Sequence, residues 1–302
     1  MRPLLMAAWH GHLAAVQTLV QAGACLAATN KKNNDILQCA CTRGSKEVAV
    51  YALSLGANVQ GCDTAGDAPL ALAARAGHTS VIELLLEKGA YIDAVNKAGR
   101  TALHMACEGG HSPSAALLVS KGASREARDN SGRTPLHQAA VHRHTELVLV
   151  LLETGCNVNA TDNNGVTALQ MACAQGCRGI VEHLLAFDAD VHLQNNVGSS
   201  ALHAACAADA TDIVELLLAH GADPALTDQW SQSPLSVAGG AAESPPEGFR
   251  RAARGSFSAI LDLLTATANL DQRQEHSDGS TTPRNDKSRG HSPAPNEGDS
   301  ER

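Results

Sequence analysis

Large rings are scarce in this chain: three Phe, two Tyr and two Trp make up 2% of its 302 residues. A core of that size normally leans on aromatic side chains, so this one has to be built from Leu, Val and Ala in closely packed helices. Long apolar runs are missing too. No wholly apolar stretch is longer than Leu147–Leu152, far below the roughly 20 residues that carry a helix across a bilayer. The apolar opening Leu4–Trp9 stops at His10 without a small-residue cleavage site, so a secretory leader is not expected. Basic residues are in deficit, with 23 Lys+Arg against 31 Asp+Glu and a formal charge of −8. With no aromatic residues interleaved among the cations, nucleic acid is not an expected partner. Nine cysteines are an odd number, spread through segments that read as helices. They argue for reduced thiols, and so for an intracellular protein of the cytoplasm or nucleus.

Motifs of catalysis are absent as well. The sequence holds no phosphate loop, nucleophile elbow, kinase signature or paired-carboxylate pattern, so neither an enzyme nor a bound cofactor is expected. The 14 histidines and nine cysteines invite a metal reading, but Cys173 and Cys177, and Cys39 and Cys41, lack the paired spacing of a zinc module. Cys41, Cys107, Cys173 and Cys206 share one register, where other units carry Ala8, Ala74 and Ala140. Packing explains that register, and no metal site is expected.

What the chain does have is a repeat. Leu4, Leu37, Leu70, Leu103, Leu136, Leu169, Leu202 and Leu235 recur every 33 residues, and the alanine three positions after each obeys the same rule from Ala7 to Ala238. Gly23, Gly56, Gly89, Gly122, Gly155 and Gly221 form a third register, broken only by Asp188. The unit is written most clearly at Thr134-Pro135-Leu136-His137-Gln138-Ala139-Ala140. Thr caps a helix that opens on Pro, where a missing N–H is harmless. Leu136, Ala139 and Ala140 then lie on one face. A glycine such as Gly77 or Gly110 stops this helix. A second helix carries a denser apolar stripe, as at Val81-Ile82-Glu83-Leu84-Leu85-Leu86, and reads as the buried layer. The unit closes on an Asp/Asn-x-x-Gly turn, from Asp63–Gly66 to Asn195–Gly198.

These motifs together resemble the ankyrin repeat, over residues 3 to about 240, as seven units and an interrupted eighth. The resemblance implies an all-α repeat solenoid: a curved stack of helix pairs with β-hairpin-like fingers on one side, each unit stabilised by its neighbours. It also implies that the histidines of the Thr-Pro-Leu-His and Gly-His positions form hydrogen bonds within and between units.

The expected organisation is a solenoid over 1–240, an insertion over 241–256, the second helix of the last unit over 257–270 and a disordered tail over 271–302. Unit one lacks its finger, which leaves Leu4-Leu5-Met6 without an upstream repeat to cover it. Either the protein is longer, or another chain covers that end. Unit two replaces Thr-Pro-Leu-His with Asp35-Ile36-Leu37-Gln38. In unit six, Cys177 and Phe187-Asp188 depart from the pattern, so fraying is expected there. Thr282-Pro283 and Ser292-Pro293 are candidate sites for proline-directed kinases.

By the resemblance, partners bind at the residues flanking the turn and at the two following Ala-Ala. In units two to five those positions hold Lys31, Lys32, Arg43, Arg75, Lys97, Arg100, Arg128 and Arg133 against Asp67 and Glu108, a groove of net charge +6. Further along, the same positions are uncharged and include Trp230. Residues 161–242 carry one Lys+Arg and nine Asp+Glu, and acids such as Glu182, Asp212 and Glu215 fall on helix two. The expected function is a non-enzymatic adaptor that holds an acidic or phosphorylated protein segment in its concave groove. Two alternatives are a substrate-recruiting subunit of a ubiquitin ligase-type assembly, and a regulatory arm of a larger channel, kinase or transcription regulator.

Overall fold

The computed structural model describes residues 2–238, 259–260 and 262–265. The insertion at 241–256, the tail at 271–302 and both candidate phosphosites, Thr282 and Ser292, lie outside the described residues.

Helices follow one another in pairs. These are α1 (Pro3–Trp9) with α2 (Leu13–Gln21), α3 (Ile36–Arg43) with α4 (Lys46–Ser54), α5 (Pro69–Arg75) with α6 (Thr79–Glu87), and α7 (Ala102–Gly109) with α8 (Ser112–Ser120). Next come α9 (Pro135–Val141) with α10 (Thr145–Glu153), α11 (Ala168–Ala174) with α12 (Arg178–Ala186), and α13 (Ala201–Ala207) with α14 (Thr211–Ala219), before α15 (Pro234–Ala238). First helices pack on first helices and second on second, giving two layers. Residues 259–260 and 262–265 are helical, and Ile260 and Leu264 join the core.

Five of the first helices, α3, α7, α9, α11 and α13, start on a reciprocal cap, while α1 and α5 begin on Pro with no side-chain cap. In α7 the Thr101 N–H donates to His104 Nδ1 at 3.2 Å, while the His104 N–H faces Thr101 Oγ1 at 3.5 Å. Unit two reaches the same geometry with other residues: Asp35 accepts from the Gln38 N–H, and Gln38 Oε1 accepts from the Asp35 N–H, both at 2.9 Å. Helix α3 is therefore capped in the same way as α7, although its sequence departs from the pattern.

Burial is deepest in the first helices, not the second. Pro69, Leu70, Ala71, Leu72, Ala73 and Ala74 of α5 are all buried, whereas α6 buries Val81, Ile82, Leu84 and Leu85 and leaves its other face outside. The first helix lies between the second-helix layer and the fingers, and only small side chains fit so close to its neighbours. That accounts for the alanine registers. Each fully buried Leu, such as Leu103 or Leu136, contributes roughly 1.5–3 kcal/mol.

Two expectations about the departures are corrected. Leu4 and Leu5 are buried by the chain's own α1 neighbours, and only Met6 of that trio is exposed, at 42%. In unit six α12 spans nine residues, as many as its counterparts, and Asp188 adopts φ 60°, the conformation that glycine takes elsewhere in this register.

The fingers contain no strand among the described residues, beyond one antiparallel bridge between Thr161 and Thr167. They are nonetheless rigidly tied. In each, the Asx oxygen accepts two backbone N–H groups, as when Asp129 Oδ1 takes Ser131 at 2.8 Å and Arg133 at 3.0 Å. Successive fingers then bond to each other, Thr64 N–H to Lys32 O, Lys97 to Ala65, Asn130 to Ala98, Asn163 to Ser131, Asn196 to Asn164 and Gln229 to Val197.

Candidate functional site

The finger ladder and the C-terminal ends of the first helices form one continuous face, and the cations expected on it divide into two groups. Lys31 and Lys32 lie on the first described finger, are exposed and make no ion pair among the described residues. With Arg75, at the end of α5, they line a cleft of about 910 Å³. Arg43 is exposed at the end of α3, and its guanidinium lies 5.4 Å above the Trp9 ring.

The second group is already engaged within the stack. Lys97 Nζ donates to Thr64 O at 2.8 Å, and an Arg128 guanidinium N–H donates to Thr161 O. Arg100 meets Glu108 at 2.8 Å and Asp129 at 3.6 Å, and Arg133 meets Asp162 at 3.8 Å. Arg75 is paired too, with Asp67 at 3.3 Å. Arg100 and Arg133 were expected at exposed turn positions; their side chains are 29% and 34% exposed, and their Nε atoms are buried. The acids of the turns also belong to this face: with Asp63, Asp129 and Asp162 included, its net charge falls from +6 to +3. Counting by register left these turn acids out because their Oδ1 atoms serve as local caps. The same carboxylates of Asp129 and Asp162 present Oδ2 to an arginine of the preceding unit. Trp230 is 63% exposed on the last finger, at the opposite end of the stack from the cleft.

Most of the cleft lining was not among the expected site residues: Arg2, Thr29, Asn30 and Thr42 line it, and three further residues shape it. Trp9 is half-buried at one wall, Leu72 is buried at the floor, and Asn34 is only 4% exposed with its Oδ1 facing no donor. Trp9 carried a readable signal: it follows Ala7-Ala8 as Thr42 follows Ala40-Cys41 and Arg75 follows Ala73-Ala74, which is a groove position. The signal in Asn34 was absent, because an orphaned acceptor exists only in three dimensions.

The histidines of the Thr-Pro-Leu-His register, and two of the Gly-His register, bond within the stack. The Nδ1 atoms of His104, His137 and His203 accept from the caps at Thr101, Thr134 and Ser200, and Nε2 donates at 3.0 Å to a carbonyl of the next unit, Arg133, Val166 or Gln232. His78 and His144 bond back to Thr42 O and Glu108 O of the preceding units. Burial pushes the Cys41, Cys107, Cys173 and Cys206 thiols far above their ordinary range, which makes them inert packing groups. Among the described residues, no three His, Cys, Asp or Glu side chains gather as a metal site. No helix there is long and apolar enough to cross a membrane.

Comparison with known proteins agrees with this architecture. The family model described as ankyrin repeats matches three times, over residues 4–96, 90–162 and 157–228. The crystal structure of the human ASB11 ankyrin repeat domain superposes with a TM-score of 0.68 at 27% identity, covering 74% of this chain and 100% of that one. No curated protein sequence matches.

Proposed function

The chain belongs to the ankyrin repeat family, whose repeats mediate protein–protein interaction, and from that premise we propose that it is a non-enzymatic adaptor which holds an acidic segment of a partner protein in its concave groove. The observation that carries this reading is the finger ladder. Hydrogen bonds from Thr64 to Lys32 and from Lys97 to Ala65 align consecutive fingers, so that Lys31, Lys32 and Lys97 stand in one row. The second helices carry the opposite charge, with Glu83, Glu182 and Glu215 exposed on the outer layer. A molecule with a basic inner face and an acidic back orients an acidic partner before contact and speeds its association. Because several of the arginines are already paired, the uncommitted lysines near the N-terminal end supply most of the attraction. An intracellular setting, in cytoplasm or nucleus, goes with this reading, since the buried thiols of the first helices act as packing groups.

The test is binding of a fluorescein-labelled acidic peptide, of about a dozen Glu and Asp residues, followed by anisotropy. Replacing Lys31, Lys32 and Lys97 by Glu weakens binding at least about tenfold, equivalent to about 1.4 kcal/mol. Replacing Glu83 and Glu215 by Gln on the outer layer leaves it unchanged. Equal effects from both sets would remove the groove from the proposal.

A further inference from the structure

The cleft at the N-terminal end of the groove differs in kind from the rest of the face. Over units three to five that face is mostly charged side chains paired within the stack, such as Lys97, Arg100, Arg128 and Arg133. Here the half-buried Trp9 ring and the buried Leu72 make an apolar interior, while Lys31, Lys32 and Arg75 stand at the rim. Its volume of about 910 Å³ is within the range of ligand pockets. We propose that this cleft is an anchor site for an extended acidic peptide of a partner protein, which places one large apolar side chain against Trp9 and Leu72 and its flanking carboxylates at Lys31, Lys32 and Arg75. The assignment rests on the groove reading above and gives it a specific anchor.

Four observations converge on that occupant. Trp9 occupies a register where the following units have Thr42, Arg75, Glu108, Val141, Ala174 and Ala207, so it is the one aromatic ring at this groove position. The Arg43 guanidinium, 5.4 Å from the ring centroid, covers one part of the indole and fixes its orientation. Asn34 is buried to 4% exposure and its Oδ1 has no donor. The residues in its register, Asp67, Arg100 and Arg133, each make an ion pair within the molecule, although the Nε atoms of the two arginines make no hydrogen bond. An orphaned acceptor lining a cleft is satisfied by an incoming N–H, and an extended peptide brings one at every residue. Finally, the rim charge is spread over separate cations, the exposed Arg2, Lys31 and Lys32 together with Arg75, which is shared with Asp67, so a run of carboxylates meets more of them than one compact anion does. The carboxylate that opposes them at the rim, Asp63, is occupied through Oδ1 with the Ala65 and Asp67 N–H groups.

The full chain carrying Trp230→Phe leaves Trp9 as its one tryptophan, so indole emission reports on the cleft. The probe is an unlabelled synthetic peptide, Asp-Glu-Asp-Leu-Glu-Asp-Glu, titrated beside its Leu→Ala form and a form with Gln and Asn in place of the acids. Trp9 emission should change saturably with the acidic leucine peptide. Affinity should fall at least about fivefold for the Leu→Ala peptide and at least about tenfold for the neutral peptide. Lys31→Glu with Lys32→Glu, on an exposed finger, should reproduce the tenfold loss without altering the circular dichroism. Binding detected by anisotropy of a labelled copy while Trp9 emission stays constant would overturn the cleft and leave the groove reading standing; no binding of any acidic peptide would remove both. Emission that depends on protein concentration without peptide would assign the cleft to a second copy. Tighter binding of a peptide spanning residues 286–302 would assign it to the chain's own C terminus. Either result overturns the proposal.

Discussion

His104 and His137 hold two units together only while neutral. Nδ1 accepts the N-cap N–H of its own helix and Nε2 donates to the next unit's carbonyl, so a second proton would set two donors face to face. Burial depresses both pKa values below the ordinary 6.5, outweighing the carbonyl bonds to Arg133 and Val166 that act in the opposite sense. The unfolded chain therefore binds more protons in the window below pH 6.5, and stability falls as pH drops through it, levelling off below the folded-state values. Gln38 and Gln170 show that glutamine can build the same cap, and Gln170 Nε2 reaches the equivalent carbonyl, Ser199 O, at 3.0 Å. His104→Gln with His137→Gln should thus fold, and its urea midpoint should fall less between pH 7 and pH 5 than that of the parent protein. Identical pH slopes would show that these imidazoles do not carry the dependence. A second residue pair explains a departure in the pattern. Gly44, Gly77 and Gly110 each lie under a histidine of the next unit, His78, His111 or His144, with no room for a Cβ. Where Arg143 takes that glycine's place, at φ 62°, the smaller Cys177 replaces the histidine and receives the Arg143 Nε–H at 3.0 Å.

The finger is the element that carries the proposed binding face, and its geometry depends on one carboxylate or carboxamide per unit. Asp129 is 7% exposed and has no spare capacity: Oδ1 accepts from Ser131 and Arg133, and Oδ2 accepts from Gln138 Nε2 at 3.0 Å and faces Arg100. Asn96 and Asn195 fill this position in other units and cap through Oδ1 alone. Asp129→Asn should therefore keep the turn, losing mainly the attraction to Arg100. Asp129→Ala strips both caps and leaves Arg100 and Gln138 short of a partner, and should cost on the order of 2–3 kcal/mol. Chemical denaturation of the two variants checks the order; an alanine variant as stable as the asparagine one would mean that the inter-finger backbone bonds suffice.

Across the whole stack, each unit contacts its neighbours, so protection against exchange should follow how well each is flanked. Helix α2 buries only Val16 and α15 only Pro234, whereas α7 buries six residues and α10 four. Native-state hydrogen exchange should be slowest around Leu103–Leu152 and fastest in the first and last units. Uniform protection from Leu13 to Ala238 would contradict a nearest-neighbour solenoid.

The repeat registers specified the helix pairs, their order and the finger turns, because leucine, alanine and glycine at a fixed period admit one way of stacking units that cannot bury their own apolar faces. Thr134 reads as a cap from the sequence alone, whereas Asp35 and Gln38 read as a departure from the pattern, and only the structure shows that they build the same reciprocal bonds. The depth of each layer was not readable. A dense stripe such as Val81–Leu86 is more apolar than α5, yet α5 is buried from more sides, and the number of sides covered is a property of the stack. The same limit applied to charge. Sequence positions list Arg100 and Arg133 as cations, but only the stack brings Asp129 and Asp162 of the following turns beside them, and only the stack opens a cleft between Trp9 and Leu72 that leaves the Asn34 oxygen without a donor. Pairing across 29 residues depends on distances through space, which a one-dimensional register does not contain.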